Sequence, residues 1–449
     1  MFNKKFSKLT LFSLFLVLGA VACDSNSSDD RKEANFTVTI ENVGTVYPFI
    51  KSGSFSVPVG ATEPGGIGPG GAYEFEFTAP LGSRLSLATM FVQSNDWFYA
   101  TGSAGIALYN PDGTPVTGDI TSEFNLYDAG TEEDEEAGVG GNQALRQSGP
   151  NTGPADDDNT VRLVDITDLP DDEEVIQVTL TSTASTSFKV RIENVSTAAT
   201  LQTSEGGKAV PLSPGAWAVH SANETNVLFE VGQADYGDGL EHIAEDGAVA
   251  TLEANLGTET GVTVPLSPGA FAVYTDENPM FTADVPFPEN GIEAIAEDGM
   301  PAEMAAFLNS EDNVFTSGAF AQPDGASENG PLFPGDRYSF SFTGREGTKL
   351  NLATMFVQSN DLFYALGAEG ISLFQNGAPV SGDITNSVNL WDAGTELNEE
   401  PGIGTNQVIH QGGTNIGPAD TNTNVRLVND DYTYPNVSDV IRITISLSQ

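Results

Sequence analysis

The sequence ATMFVQSND occurs twice in this chain, at residues 88–96 and again at residues 353–361. In both places an apolar run ends abruptly in Asn-Asp, which is the pattern of a buried strand followed by a loop that carries a carboxylate. Nearby segments alternate apolar and polar residues, as in AYEFEF (72–77) and RYSFSF (337–342). With 48 glycines and 25 prolines to supply turns, the pattern predicts an all-β chain built as antiparallel β-sandwiches.

Longer repeats indicate that the fold is present in two copies. GDITSEFNLYDAGTE (118–132) returns as GDITNSVNLWDAGTE (382–396), and FTVTIENV (36–43) returns as FKVRIENV (188–195). A period of this length is far too long for a stacking repeat and excludes a solenoid. We therefore expect two domains, at residues 35–183 and 187–449.

The second copy is longer because it contains a segment, at about residues 210–300, that is itself duplicated. VPLSPGAWAVHS (210–221) recurs as VPLSPGAFAVYT (264–275). The pieces IAEDGAVATLEANL (243–256) and IAEDGMPAEMAAFL (295–308) carry apolar residues at roughly helical spacing. This spacing predicts one short helix in each piece.

The charge of the chain is strongly acidic, with 63 Asp and Glu against 17 Lys and Arg and a net charge of −46. Such a field repels phosphate backbones, so nucleic acid is excluded as a partner. Solubility in a salty or extracellular medium accounts for most of these carboxylates. Cation binding must therefore be argued from particular residues.

The amino-terminal residues predict export. Three lysines precede an apolar stretch at 11–21, which is too short to span a bilayer, and the stretch ends at Ala22 and Cys23. We expect a signal peptide at 1–22, a lipid on Cys23 and a polar tether at 23–34, with the chain anchored to a bacterial cell envelope at the outer membrane or cell surface. Ordinary cleavage followed by secretion is the alternative. Cys23 is the only cysteine, so no intrachain disulfide can pin the loops.

Three acidic positions follow apolar strand-like runs in each copy. Calcium takes several oxygen ligands, usually carboxylates with backbone carbonyls, and loops at the end of a sandwich supply both. An equally open alternative is that Asp128 and Asp392 cap turns by accepting backbone N–H groups. Neither copy fits an EF-hand. The candidate metal ligands are Asp96, Asp128 and Glu132 in the first copy and Asp361, Asp392 and Glu396 in the second.

The acidic run TEEDEEAGVG (131–140) is predicted to be mostly a solvated loop. Its counterpart TELNEEPGIG (395–404) retains only the final pair of glutamates. Asn95 and Asn360 are expected to shape the loop rather than to bind the metal.

At these residues the chain resembles the spondin N-terminal domain. The resemblance rests on LATMFVQSNDWFYA (87–100), DAGTE (128–132) and GPNTGPAD (149–156), and on LSPGAFAV and FPGDRYSFSF in the second copy. It covers nearly all of the second copy and the later three quarters of the first. It implies a variant of the C2 β-sandwich with Ca2+ held by the six acidic residues named above. The last acid of that motif is often Asp in the family, whereas this chain has Glu132 and Glu396, which are longer.

No catalytic motif competes with this interpretation. The three histidines, His220, His242 and His410, are replaced between the copies, and Trp97, Trp217 and Trp391 match apolar or aromatic residues, which favours a place in the core. The predicted function is a non-enzymatic, calcium-binding surface protein that attaches to extracellular matrix, a glycan or a surface protein. The alternatives are an extracellular polysaccharide hydrolase that uses paired carboxylates and a purely structural envelope protein.

Overall fold

The computed structural model describes residues 31–448, and in this range the chain forms two antiparallel β-sandwiches. The predicted all-β sandwich fold is confirmed. We call the two units sandwich A and sandwich B.

Sandwich A is continuous in the chain. Its elements are β2 (Phe49–Phe55), β3 (Ala72–Thr78), β4 (Arg84–Phe91), β5 (Trp97–Thr101), β6 (Ile106–Ala107), β7 (Gly118–Asp119), β8 (Phe124–Asp128), β9 (Arg162–Leu163), β10 (Ile176–Ala184), β11 (Ser187–Asn194), β12 (Leu201–Thr203), β13 (Gly206–Lys208), β14 (Leu212–His220), α1 (Leu240–Asp246) and α2 (Ala250–Thr258).

Sandwich B combines the first strand with the rest of the chain. Its elements are β1 (Glu33–Asn42), β15 (Leu266–Tyr274), α3 (Ile292–Asp298), α4 (Ala302–Leu308), β16 (Val314–Phe320), β17 (Arg337–Arg345), β18 (Lys349–Phe356), β19 (Leu362–Leu366), β20 (Ile371–Ser372), β21 (Phe374–Gln375), β22 (Ala378–Pro379), β23 (Gly382–Asp383), β24 (Val388–Asp392), β25 (Arg426–Leu427) and β26 (Ile441–Leu447).

Both sandwiches have the same plan of a small sheet facing a larger one. In sandwich A the small sheet has the order β3-β11-β10-β7 and the large sheet the order β2-β14-β4-β5-β8-β9. In sandwich B the corresponding orders are β17-β1-β26-β23 and β16-β15-β18-β19-β24-β25. Strand β1 of sandwich B therefore holds the place that β11 holds in sandwich A.

This strand pairing corrects the expected domain boundaries. Domains at 35–183 and 187–449 would pair β1 with β3 and β10, yet β1 pairs with β17 and β26. Instead β11 lies between β3 and β10. Each sandwich also takes one copy of the duplicated segment at 210–300, because β14 joins β4 and β15 joins β18. Sandwich A is thus inserted between β1 and β15 of sandwich B.

The short link between β10 and β11 gives a physical reason for this arrangement. Ala184 pairs with Ser187, so only two residues separate the strands in a tight hairpin. Such a local pairing closes with a small loss of chain entropy and occupies the edge of β10 that β1 would otherwise use. Strand β1 is therefore left to complete sandwich B.

The two connections between the sandwiches run side by side, as an inserted domain requires. Phe49 forms a parallel bridge with Thr260. Its N–H donates to Glu259 O at 3.2 Å, and its carbonyl accepts from Gly261 N at 3.0 Å. Lys51 also pairs with Glu400 of sandwich B at 2.5 Å.

The repeated strand is buried on both faces because each sandwich has a third layer. Leu87 and Phe91 of β4 lie in the core between the two sheets. Ala88 faces the opposite way and packs under α1 and α2 with Phe98. Burial on both sides explains why the sequence reads as an unbroken apolar run. The three tryptophans are buried as predicted, with 1% (Trp97), 7% (Trp217) and 4% (Trp391) of their surface exposed.

Each predicted helix is in fact a pair of short helices. Gly247 ends α1 and Gly299 ends α3 in the left-handed conformation, at φ of 67° and 64°. A Cβ on Gly299 would lie 2.5 Å from the Cβ of Ser267. The chain therefore breaks at these glycines before α2 and α4 begin.

The predicted signal peptide at 1–22, the lipid site Cys23 and most of the tether at 23–34 lie outside the described residues. Strand β1 begins at Glu33, within the last part of the predicted tether. None of the helices between residues 31 and 448 has the length and apolar character that crossing a bilayer requires.

Candidate metal centre

The six predicted ligands lie at equivalent places in the two sandwiches. Asp96 ends the turn between β4 and β5, Asp128 is the last residue of β8, and Glu132 lies in the loop that follows. All six are almost completely buried. Exposed fractions are 0% for Asp96 and Asp361, 2% for Asp128, 1% for Asp392, 1% for Glu132 and 2% for Glu396.

Asp96 ties the strand turn to the loop after β8 with one of its two oxygens. Its Oδ2 accepts hydrogen bonds from Thr131 N at 2.7 Å, Thr131 Oγ1 at 2.9 Å and Glu132 N at 3.0 Å. Its Oδ1 is buried and has no hydrogen-bond partner. Burial raises the pKa of Asp96, although these donors oppose the rise.

Asp361 repeats this arrangement in sandwich B. Its Oδ2 accepts from Thr395 N at 2.8 Å and Glu396 N at 3.1 Å, and its Oδ1 again has no partner. Burial raises the pKa of Asp361. A buried carboxylate oxygen without a hydrogen-bond donor is costly and rare, so its occurrence at two equivalent positions requires an explanation.

Asp128 and Asp392 do cap turns. Asp128 Oδ1 accepts from Gly130 N at 2.6 Å, and Asp392 Oδ1 accepts from Gly394 N at 2.7 Å. This is the alternative role considered from the sequence. Burial, and next the charge of Asp96, raise the pKa of Asp128 to about 7. Each side chain therefore combines a turn cap with electrostatic contact to the first aspartate.

Glu132 and Glu396 use their extra length to reach a second loop. Glu132 Oε1 accepts from Gly153 N at 2.7 Å, and Glu396 Oε1 accepts from Gly417 N at 2.7 Å. The other oxygen of Glu132 lies 3.3 Å from Asn95 Nδ2. The asparagine thus shapes the loop as predicted, because its Oδ1 also accepts from Glu135 N at 3.2 Å.

The sequence reasoning missed the arginine that faces each site. Arg162 lies directly opposite Asp128 in the strand register, and its Nη2 is 2.6 Å from Asp128 Oδ2 and 2.6 Å from Asp156 Oδ2. Arg426 makes the same pair of contacts with Asp392 and Asp420, both at 2.6 Å. The repeated VRLV motif at 161–164 and 425–428 was the available signal.

A fourth buried acid in each sandwich was also missed. Glu245 on α1 and Glu297 on α3 are 2% and 3% exposed. Burial raises the pKa of each to about 8. Thr131 Oγ1 lies 2.9 Å from Glu245 Oε1, which links this helix to the loop held by Asp96. The glutamate of the repeated IAEDG motif was visible in the sequence, but only tertiary packing brings it to the site.

The acidic run after Glu132 is mostly exposed, as predicted, because Glu133, Asp134 and Glu136 are exposed and Glu135 is half-buried. Hydrogen bonds nevertheless fix part of it, and Asp134 accepts from Trp97 Nε1 at 2.6 Å. Glu135 accepts from Asn142 N at 2.7 Å. In sandwich B, Asn398 replaces Asp134 and donates to Asp392 Oδ2 at 2.9 Å. The two sites therefore differ by one carboxylate.

The residues present fit a hard cation in part. The orphaned Oδ1 of Asp96 and Asp361, and the mutual repulsion of the neighbouring acids, leave negative charge for a cation to neutralise. Arg162 and Arg426 already neutralise some of it. Within residues 31–448, no group of three or more His, Cys, Asp or Glu side chains is placed so that it could hold a metal ion as it stands. Binding would therefore require backbone carbonyls, water or movement of a side chain.

A scan of the chain against protein-family models found no match, and a search of curated proteins found none either. The resemblance to the spondin N-terminal domain therefore stays a prediction.

Proposed function

We propose that this chain is a calcium-binding, non-enzymatic protein of the bacterial cell surface that attaches the cell to an extracellular partner. The observation that carries the proposal is the pair of buried, unpartnered oxygens, Asp96 Oδ1 and Asp361 Oδ1. They occur at the same point of two sandwiches, which argues that they serve one purpose.

Each sandwich would hold one calcium ion. In sandwich A the ligands would be Asp96, Asp128 and Glu132, and in sandwich B Asp361, Asp392 and Glu396. The ion would supply positive charge to buried carboxylates that otherwise repel each other. Asp96 already fixes the loop after β8 through Thr131 and Glu132, so neutralising it would hold the loops in place in a chain that has no disulfide.

The amino-terminal sequence supports a location at the cell envelope. A lipid on Cys23 would anchor the chain to the envelope, at the outer membrane or cell surface. The two sandwiches would then present their loop ends to matrix proteins, glycans or proteins of another surface. Attachment of this kind needs rigid loops, and calcium provides rigidity without cysteine chemistry.

Binding to surfaces tests this function. The purified chain, without its signal peptide, is applied to immobilised matrix proteins and to a glycan array in 2 mM calcium and in EDTA, where 2 mM is about the concentration that weak extracellular calcium sites require. We expect binding in calcium that is lost in EDTA and lost in the double variant Asp96→Asn with Asp361→Asn. Glu63→Gln with Glu328→Gln removes the same charge at exposed positions and should leave binding intact.

Two results would contradict the proposal. Binding that is equal in calcium and EDTA would show that the ion does not control the surface. Cleavage of a polysaccharide on the array, lost on mutation of a single carboxylate, would replace attachment with hydrolysis.

A further inference from the structure

A cavity of about 290 Å³ lies where the two sandwiches meet. We call it the inter-sandwich cavity. Strand β2 and the turn before β4 form its wall on the side of sandwich A, and the loops after β18 and β24 form the wall on the side of sandwich B. None of the six candidate metal ligands lines it. Its lining includes Tyr47, Lys51, Val262, Gln358, Gly402 and His410.

The cavity exists because sandwich B has the inserted domain where sandwich A has a hairpin. In sandwich A, the hairpin β12-β13 lies between β11 and β14 in the chain, and a Cβ on Gly138 would be 2.9 Å from Leu201 of this hairpin. The same position in sandwich B, between β1 and β15, is where sandwich A is inserted. A Cβ on Gly402, the equivalent of Gly138, would lie 3.1 Å from Gln358 Oε1 and 3.6 Å from Val262 Cγ1. Since Gly402 and Val262 both line the cavity, Gln358 Oε1 lies at the cavity wall.

In sandwich A an arginine fills the equivalent place. Arg146 Nε donates to Gly140 O at 2.7 Å. Its terminal N–H groups donate to Gln93 Oε1, at 3.2 Å from Nη1, and to Gln143 Oε1. Each glutamine is fixed from its other end, because its Nε2 donates to a backbone carbonyl at 2.9 Å (Gln93) or 3.0 Å (Gln143). The guanidinium group therefore bridges two amide oxygens whose orientation is already set.

Sandwich B keeps the two glutamines but replaces the arginine with His410. His410 Nδ1 donates to Gly404 O at 2.8 Å, which reproduces only the Nε contact of Arg146. Gln358 Nε2 and Gln407 Nε2 still donate to backbone carbonyls, at 2.6 Å and 2.8 Å. Both of their Oε1 atoms are buried and have no hydrogen-bond partner within residues 31–448. Two acceptors that bind a guanidinium group in sandwich A are thus left without a donor in sandwich B.

The charges around these two oxygens permit a cation. Lys51 is already paired with Glu400 at 2.5 Å. Burial lowers the pKa of His410, so its imidazole is neutral at pH 7 and does not repel a positive group. The charge of Glu399 opposes this lowering of the pKa, which means that its field favours positive charge at this place. A guanidinium group, with its planar fork of N–H donors, suits two separate acceptors better than the compact ammonium of a lysine.

We propose that the inter-sandwich cavity binds a guanidinium group from outside the chain, which donates to Gln358 Oε1 and Gln407 Oε1. Arg146 makes the equivalent contacts from within sandwich A. The alkyl stem of the ligand packs against Tyr47 and Val262 in the cavity wall. Both an arginine of a partner protein and free arginine carry this group. The inference depends on neither calcium binding nor attachment, because it uses none of the candidate metal ligands.

Calorimetric titration of the purified chain, without its signal peptide, with Nα-acetyl-arginine methylamide in EDTA tests the proposal. We expect saturable binding to the wild type and at least about tenfold weaker binding to Gln358→Met, which lacks the acceptor. Gln93→Met, the same change in sandwich A, should leave binding unchanged. His410→Arg should abolish binding, because its own guanidinium group then fills the place. It should also raise Tm, since two buried acceptors gain donors, and a raised Tm shows that the loss of binding is not a folding defect.

Three results would overturn the proposal. Equal binding to the wild type and to His410→Arg would place the probe elsewhere on this acidic chain. Equally tight binding of the uncharged analogue Nα-acetyl-citrulline methylamide would assign the cavity to a neutral amide, and no saturable binding to the wild type would leave the two oxygens to water. If the arginine probe does bind at this place, free L-arginine distinguishes the sources. Tighter binding of free L-arginine supports a free solute, and tighter binding of the blocked probe supports an arginine of a partner protein.

Discussion

Replacing Phe36 with Ala should destabilise sandwich B and leave sandwich A largely unchanged. The Phe36 side chain is fully buried and stacks on Phe342 with ring centroids 5.6 Å apart. A Phe→Ala change at a buried site costs about 3–5 kcal/mol. For a unit of roughly 200 residues, each kcal/mol lowers Tm by about 2–4 °C, so the loss is roughly 6–20 °C.

The matched variant is Phe188→Ala. Phe188 opens the second copy of the same motif, is 1% exposed and stacks on Phe77 at 5.7 Å. Hydrogen exchange measured by mass spectrometry shows which strands each substitution destabilises. We expect Phe36→Ala to accelerate exchange in β17 and β26, and Phe188→Ala to accelerate it in β3 and β10. The reverse pattern would refute the inserted arrangement of sandwich A.

An engineered disulfide tests the same strand pairing without a measurement of stability. Thr37 Oγ1 lies 2.8 Å from Ser341 Oγ in the neighbouring strand. In a chain with Cys23→Ser, the pair Thr37→Cys and Ser341→Cys should therefore form an intrachain disulfide. If each sequence copy folded as its own domain, position 37 would lie opposite Glu76, as Lys189 does. A disulfide between Thr37→Cys and Glu76→Cys in the monomer would show that the strand assignment is wrong.

Two further predictions concern pH and the helix break. Burial raises the pKa of Glu245 and Glu297 to about 8, whereas the pKa of a glutamate in an unfolded chain is about 4.3. Between these two values the folded state therefore keeps protons on the two side chains that the unfolded state releases. Urea unfolding in EDTA should show a free energy of unfolding that falls from pH 4 to pH 8, by at most about 1.4 kcal/mol per pH unit for each group. Glu245→Gln with Glu297→Gln should flatten this dependence, and an unchanged slope would contradict the assignment. Gly299→Ala should lower the free energy of unfolding by about 1–3 kcal/mol, because the residue has a positive φ and the new Cβ would lie close to Ser267. A Cβ at Gly412 would have no atom within 4 Å, so Gly412→Ala should change the free energy of unfolding little in the same urea assay.

The repeated strands and the acidic positions could be predicted because they are determined by local patterns. The sequence pattern correctly predicted that a buried strand ends near Phe91 and that a polar loop carries Asp96. Both features depend on hydrophobic patterning and turn residues within a few positions of each other. The break at Gly247 was also readable, because a glycine between two apolar helical stretches commonly ends a helix. The apolar spacing on its own predicts one continuous helix, because it runs through Gly247 without a change of phase large enough to signal the break.

The partner of β1 could not be predicted from the sequence. FTVTIENV and FKVRIENV present the same apolar face, so pattern alone gives each strand the same affinity for either sheet. The choice depends on the two-residue hairpin between Ala184 and Ser187, which is a property of chain connection. Arg162 was missed for a related reason, because it reaches Asp128 only through the register of a two-residue strand.

Calcium titration of residues 31–448 tests most directly the central claim that each sandwich binds one calcium ion. Calorimetry in a chelated, metal-free buffer should show one calcium ion bound per sandwich in the wild type. It should show only the ion of sandwich B in Asp96→Asn, and only the ion of sandwich A in Asp361→Asn. At a calcium concentration about a hundred times Kd, each occupied site should add about 2.7 kcal/mol to the free energy of unfolding. No heat of binding in the wild type, with identical unfolding curves in calcium and EDTA, would contradict the account.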